Sequence, residues 1–105
     1  MNVTDEILVQ KVKSGILSVD KDAEVILFGS RARGDAREDS DWDFLCLTSL
    51  RVNDSLRMSV IKEVYPIELE EEVVVQVVIK NKIDWETKYV DSPFYLNVKD
   101  DGISL

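Results

Sequence analysis

Leu8, Val12, Ile16 and Val19 recur at intervals of three and four, the spacing that gathers side chains on one face of an α-helix. Thr4 is placed to cap this helix, and Asp5 and Glu6 complement the positive end of its dipole, so a helix is predicted from Thr4 to about Val19, weakened slightly by Gly15. Glu24-Val25-Ile26-Leu27-Phe28 is an apolar run short enough for a buried strand, and Gly29-Ser30 breaks it. In Asp41 to Leu47 the two-residue period of a strand sends Asp41, Asp43, Leu45 and Leu47 to one face and Trp42, Phe44 and Cys46 to the other. Asn53 or Asp54 starts a second long helix carrying Leu56, Val60, Ile61 and Val64; Pro66 is expected to end or offset it, with Ile67 to Glu72 as a further helical turn. Val73 to Ile79 lacks polar alternation, which predicts a strand buried on both faces at the middle of a sheet. Asp84-Trp85-Glu86 opens a short helix, and Ser92 with Pro93 starts another that runs toward Lys99 and stops at Gly102. The order of elements predicts an α/β fold, a small mixed sheet with helices mainly on one face, in a single domain spanning residues 1–105.

The turn between the first two strands carries chemistry. Gly29 lets the backbone turn sharply and approach a ligand closely. If Ser30 caps a short helix through Ala32 and Arg33, its hydroxyl and the free N–H groups of the first turn face one point, where a phosphate is stabilised. Arg31 and Arg33 add positive charge beside it. Asp41 and Asp43 are carboxylates on one face of a strand, and such a pair repels unless a cation sits between them. Taken singly, each piece has an ordinary structural reading as a turn, a solvated strand end or a charged helix face. In this order, between two strands, they point to a nucleoside triphosphate and a divalent metal.

Charge and composition narrow the partners. The formal charge of −8 disfavours direct binding to nucleic acid, whose affinity rests on neutralising phosphates. The chain has no histidine, which excludes Ser-His-Asp triads, histidine metal sites and histidine-based ribonuclease chemistry. Cys46 is the single cysteine, so no intramolecular disulfide forms, and a buried apolar role is expected for it. No stretch has the length of a membrane span and Met1 to Glu6 lacks the features of a signal peptide, so the cytoplasm is the expected location. Trp85, Tyr89, Phe94, Tyr95 and Leu96 crowd the last quarter of the chain, where they either close the core over the sheet or form a partner interface.

Gly29-Ser30-X-Ala32-X-Gly34 followed by Ser40-Asp41-X-Asp43 resembles the signature of the DNA polymerase β-like nucleotidyltransferase superfamily, and the short chain resembles its minimal nucleotidyltransferases. The resemblance implies a polymerase β palm-like fold. It implies that Gly29, Ser30 and Arg33 hold the triphosphate of ATP or another nucleoside triphosphate, and that Asp41 and Asp43 are the catalytic residues and ligands of Mg²⁺. It further implies transfer of a nucleoside monophosphate to a hydroxyl and work beside a small helical protein of the HEPN type, with several members acting as antitoxins. The family pattern completes its metal site with a third carboxylate on a later strand, where this chain has Gln76. A neutral amide offers a metal an oxygen but cannot accept a proton at pH 7. Two readings follow: an active adenylyltransferase-type enzyme, or a weak or silent nucleotide-binding module that docks on its partner.

Overall fold

The computed structural model describes residues 1–105. The first helix, α1, runs Val3–Val19 and buries Leu8, Val9, Val12 and Ile16. Its cap is Asn2, whose side chain accepts from the Asp5 N–H at 2.8 Å, rather than Thr4. Asn is the stronger N-cap of the two types, and the helix starts one turn's fraction earlier as a result. Strand β1 spans Glu24–Phe28, the short helix α2 spans Ser30–Arg33, and strand β2 spans Trp42–Thr48. Helix α3 then runs Asp54–Glu71 straight through Pro66, capped by the Asn53 side chain. The buried stripe Leu56, Val60, Val64 and Ile67 continues on both sides of the proline, so burial of Ile67 outweighs the one hydrogen bond that the imide cannot donate. Strand β3 (Val75–Asn81), helices α4 (Lys82–Thr87) and α5 (Pro93–Asp101), and a short strand β4 (Ile103–Ser104) complete the chain. Ser92 caps α5 and Gly102 ends it, as the sequence leads one to expect.

The four strands form a mixed sheet in the order β3-β2-β1-β4. β1 pairs antiparallel with β2 and β4, whereas β2 and β3 run parallel, joined by the α3 crossover. β3 is thus an edge strand, contrary to the central position that its apolar run suggests. β2 is a central strand, buried at every position except Asp43. The two long helices cover one face, where α1 and α3 close a core over Val25, Leu27, Trp42, Phe44 and Cys46. The opposite face carries a smaller core of Leu45, Leu47, Trp85, Tyr95 and Val98 beneath α4 and α5. The alternation expected in β2 is therefore realised on both sides. Trp85 and Tyr95 are interior residues, with Phe94 and Tyr89 packed against them, so these aromatics close a core rather than present an interface. No helix is long and apolar enough to cross a membrane.

Candidate functional site

Strand register brings the motif residues to one end of the sheet. Phe28 pairs with Asp43, and Asp43 pairs with Gln76, so the turn that follows β1, the start of β2 and the start of β3 stand side by side. Gly29 sits at φ 75°, ψ −159°, a backbone region closed to residues with a Cβ. A Cβ there would also lie 2.5 Å from Asp43 Oδ2, so only glycine lets the turn pass over the carboxylate. Gly29, and not Ser30, is the N-cap of α2; Ser30 is its first residue, with no side-chain cap hydrogen bond at this end. The Ala32 and Arg33 N–H groups donate to the Gly29 carbonyl at 3.1 and 3.0 Å, which leaves those of Ser30 and Arg31 without a partner in the helix and open to an acceptor. Gly34, at φ 84°, closes α2 by donating to the Ser30 carbonyl.

Asp43 is partly buried. Burial raises the pKa of its carboxyl, the charge of Asp41 raises it further, and Arg33 partly offsets the two. Gln76 extends from β3 to the same spot and its Nε2 donates to Asp41 Oδ2 at 3.2 Å. The amide thus lends partial positive charge to Asp41. The donor set is two carboxylates and an amide, and no third acidic, cysteine or histidine side chain joins them. That set suits one hard divalent cation of the Mg²⁺ kind, which accepts one or two protein carboxylates and completes its shell from water and phosphate. It does not suit two ions held by three carboxylates.

The arginines divide. Arg33 is exposed beside Asp43, pairing with Asp35 at 3.2 Å and reaching Asp101 at 4.0 Å. Arg31 turns away: its guanidinium donates to the carbonyls of Glu38 and Ser40 at 3.1 and 2.9 Å and lies 4.6 Å from the Trp42 ring centroid. It tethers the loop that leads into Asp41, and is not placed to meet a phosphate with Arg33. Its Nε is buried without a partner. Arg37 works through its backbone, whose N–H donates to Ser40 Oγ at 2.8 Å. Glu70 and Glu71 pair with Lys11 of α1, both at 2.7 Å, and Glu72 is the C-cap of α3, so none of the three replaces the missing carboxylate. Sequence reasoning gave no role to Glu68, which accepts the Val75 N–H at 3.2 Å and so anchors the start of β3 beneath the site.

A family model described as a nucleotidyltransferase domain matches residues 8–97, which include every residue of the site. Comparison with curated proteins gives no match. Among solved structures, the crystal structure of a toxin-antitoxin with AMP-PNP is similar in fold, with a TM-score of 0.59 at 17% sequence identity over 98% of this chain and 72% of that one. The family model spans most of the chain and the sheet places Gly29, Asp41, Asp43 and position 76 together; the chain belongs to the nucleotidyltransferase domain family.

Proposed function

We propose that this chain binds a nucleoside triphosphate with one Mg²⁺ and transfers a nucleoside monophosphate, AMP from ATP, to a hydroxyl of a protein partner. The observation that carries the reading is the convergence of Gly29, Asp41 and Asp43 at one end of the sheet. Asp41 and Asp43 would hold the ion, which when bound neutralises phosphate charge as the leaving group departs. The Ser30 and Arg31 N–H groups that follow the Gly29 turn donate to phosphate oxygens, and Arg33 sets a positive charge beside them. The acceptor oxygen forms a bond to the α-phosphorus while the bond from that phosphorus to the bridging oxygen of the β-phosphate breaks, releasing pyrophosphate. The hydroxyl proton must leave as the new bond forms. Gln76 cannot take it, so it passes to solvent, and transfer is slow by on the order of 10² to 10⁴ relative to a positioned base.

The partner in this reading is a small helical protein of the HEPN type and the chain is the antitoxin of the pair. Its support is the family and the likeness in fold to a chain of a toxin-antitoxin. Gln76 favours a second reading, in which the same nucleotide-binding module acts by docking and transfers little. Incorporation of labelled nucleotide into the co-expressed partner, compared for the unmodified chain and Gln76→Asp, tests both. Slow transfer that Gln76→Asp accelerates supports the enzyme. No transfer by either form, with nucleotide binding intact, supports the docking module. Rapid transfer by the unmodified chain, lost on Gln76→Asp, overturns the role given to this position.

A further inference from the structure

β3 presents an unpaired edge of the sheet. The Val74 carbonyl accepts the Trp42 N–H at 2.9 Å, so alternate residues from Val74 direct their backbone groups toward β2. Those of Val75, Val77 and Ile79 therefore point outward. Glu68 covers the Val75 N–H, and Val77 and Ile79 are left open. Natural edges are protected by proline, bulges or charge; this one is seven residues long with Lys80 as its single charge. A groove of about 160 Å³ runs beside it, lined by Val60, Ile61 and Val64 of α3 and Val75, Val77 and Ile79 of β3, with Arg57 and Glu68 at its ends. Ile61 continues the apolar surface outward: at about 3.6 residues per turn Met58, Tyr65 and Leu69 follow it round α3, on the side away from α1. They are 51%, 56% and 63% exposed, and Ile61 is 52% exposed.

We infer that this face binds a second copy of the chain, with β3 pairing antiparallel to its symmetry mate about a two-fold axis at Val78. The occupant follows from self-complementarity. In that register Val77 faces Ile79 of the second copy, Gln76 faces its Lys80, and no like charges meet. The start of one β3 lies beside the end of the other, which carries Glu68 of each copy toward Arg57 of its mate. The exposed stripes of the two α3 helices then cover each other across the joined sheet. The pairing also reaches the site described above. Gln76 lies against Asp41, so Lys80 of the second copy, released from its place 4.5 Å from the Tyr89 ring centroid, adds a cation beside the carboxylate pair. This inference rests on the strand edge and helix face, and stands whether or not the chain transfers nucleotide.

Light scattering on the eluting protein and sedimentation equilibrium test it. The expected result is a mass twice 12.0 kDa, with association strengthening as salt rises because each copy carries a charge of −8. Ile61→Glu with Tyr65→Glu, both on exposed positions, is expected to weaken association at least about thirtyfold, with the circular dichroism of the folded chain retained. Under mild oxidation Gln76→Cys with Lys80→Cys is expected to cross-link across the two-fold, and Lys80→Cys alone is not. Cys46 stays out of this chemistry, since burial pushes its thiol up to about 11. A mass of 12.0 kDa at every concentration and salt overturns the inference. So does a dimer that survives the double glutamate substitution and fails to cross-link, because its interface lies elsewhere.

Discussion

Gly29 is the residue on which the site turns, because both its backbone angle and its contact with Asp43 exclude a side chain. Gly29→Ala is expected to cost about 1–3 kcal/mol from the backbone alone and to displace Asp43, lowering the melting temperature and abolishing nucleotide binding in calorimetric titration. Asp43 carries the opposite sign. Burial and the charge of Asp41 raise its pKa in the folded state, so its stabilising contribution belongs to the protonated form and is lost as pH rises through the folded value. At neutral pH its charge therefore works against the fold, and Asp43→Asn is expected to raise the melting temperature without Mg²⁺, chiefly by removing a charge that burial disfavours and secondly by relieving its repulsion with Asp41, while removing the stabilisation that Mg²⁺ with nucleotide gives. An unchanged melting temperature in Asp43→Asn would sink the idea that burial and the neighbouring Asp41 set this carboxylate against the fold.

Asp20, at the end of α1, behaves conversely. Burial tends to raise its pKa, but hydrogen bonds from the Thr48 hydroxyl, the Asp22 and Ser49 N–H groups and the Ser49 hydroxyl outweigh it, and the carboxyl lies below its usual 3.8. Its contribution is complete above that value and is lost as pH falls through the lower folded one. Asp20→Ala is expected to cost about 3 kcal/mol at pH 7, since it strands the buried Thr48 hydroxyl and removes charged hydrogen bonds. The difference from the unmodified chain should narrow below the usual carboxylate range, which acid unfolding monitored by circular dichroism would show.

The elements differ in how far their residues announce them. β1 is an apolar run ended by a glycine, and β2 alternates cleanly, so both strands and the face of Asp43 were legible in the sequence; Asp41, expected on the same strand face, instead precedes β2, which begins at Trp42, and meets Gln76 from the loop. β3 was not: Val73 to Ile79 reads as a central strand because a continuous apolar run looks the same beneath one helix and above another as between two neighbours. Pro66 was misleading for a related reason, since its local cost is set against a buried stripe that sequence alone does not weigh. The approach of Gln76 to Asp41 was readable from family pattern, but the diversion of Arg31 to the Glu38 and Ser40 carbonyls was not, because backbone acceptors leave no trace in side-chain identity. The end of α3 is also strained: Glu72 has φ 56° as the helix C-cap. Glu72→Gly is expected to stabilise by on the order of 1 kcal/mol, or about 4–8 °C in a thermal melt. A melting point equal to or below that of the unmodified chain would show that the Glu72 side chain compensates for its backbone.

As a whole the molecule couples a small, open site to a strongly acidic body, and this combination sets how it meets partners. With a charge of −8 and Arg33 already engaged by Asp35, its surface favours a basic protein over a polyanion. Binding of a helical partner should then be fastest at low salt, with an on-rate that falls as salt is raised. Self-association through β3 should respond in the opposite direction, because like-charged copies repel less when screened. The two processes can be separated in one experiment: co-expression with the adjacent gene product, followed by chromatography with light scattering at low and moderate salt. The expected outcome is a mixed complex whose formation slows with salt, and a species of the chain alone that grows with it. Separate elution of the two proteins at both salts would remove the helical partner from the proposed function while leaving the β3 interface untouched. Nucleotide adds a final check, since a ligand present at 100 times its Kd stabilises the folded chain by about 2.7 kcal/mol. That gain should vanish in Asp41→Ala with Asp43→Ala, whether the chain is alone or in complex, if the carboxylate pair is where the ion and its triphosphate are held.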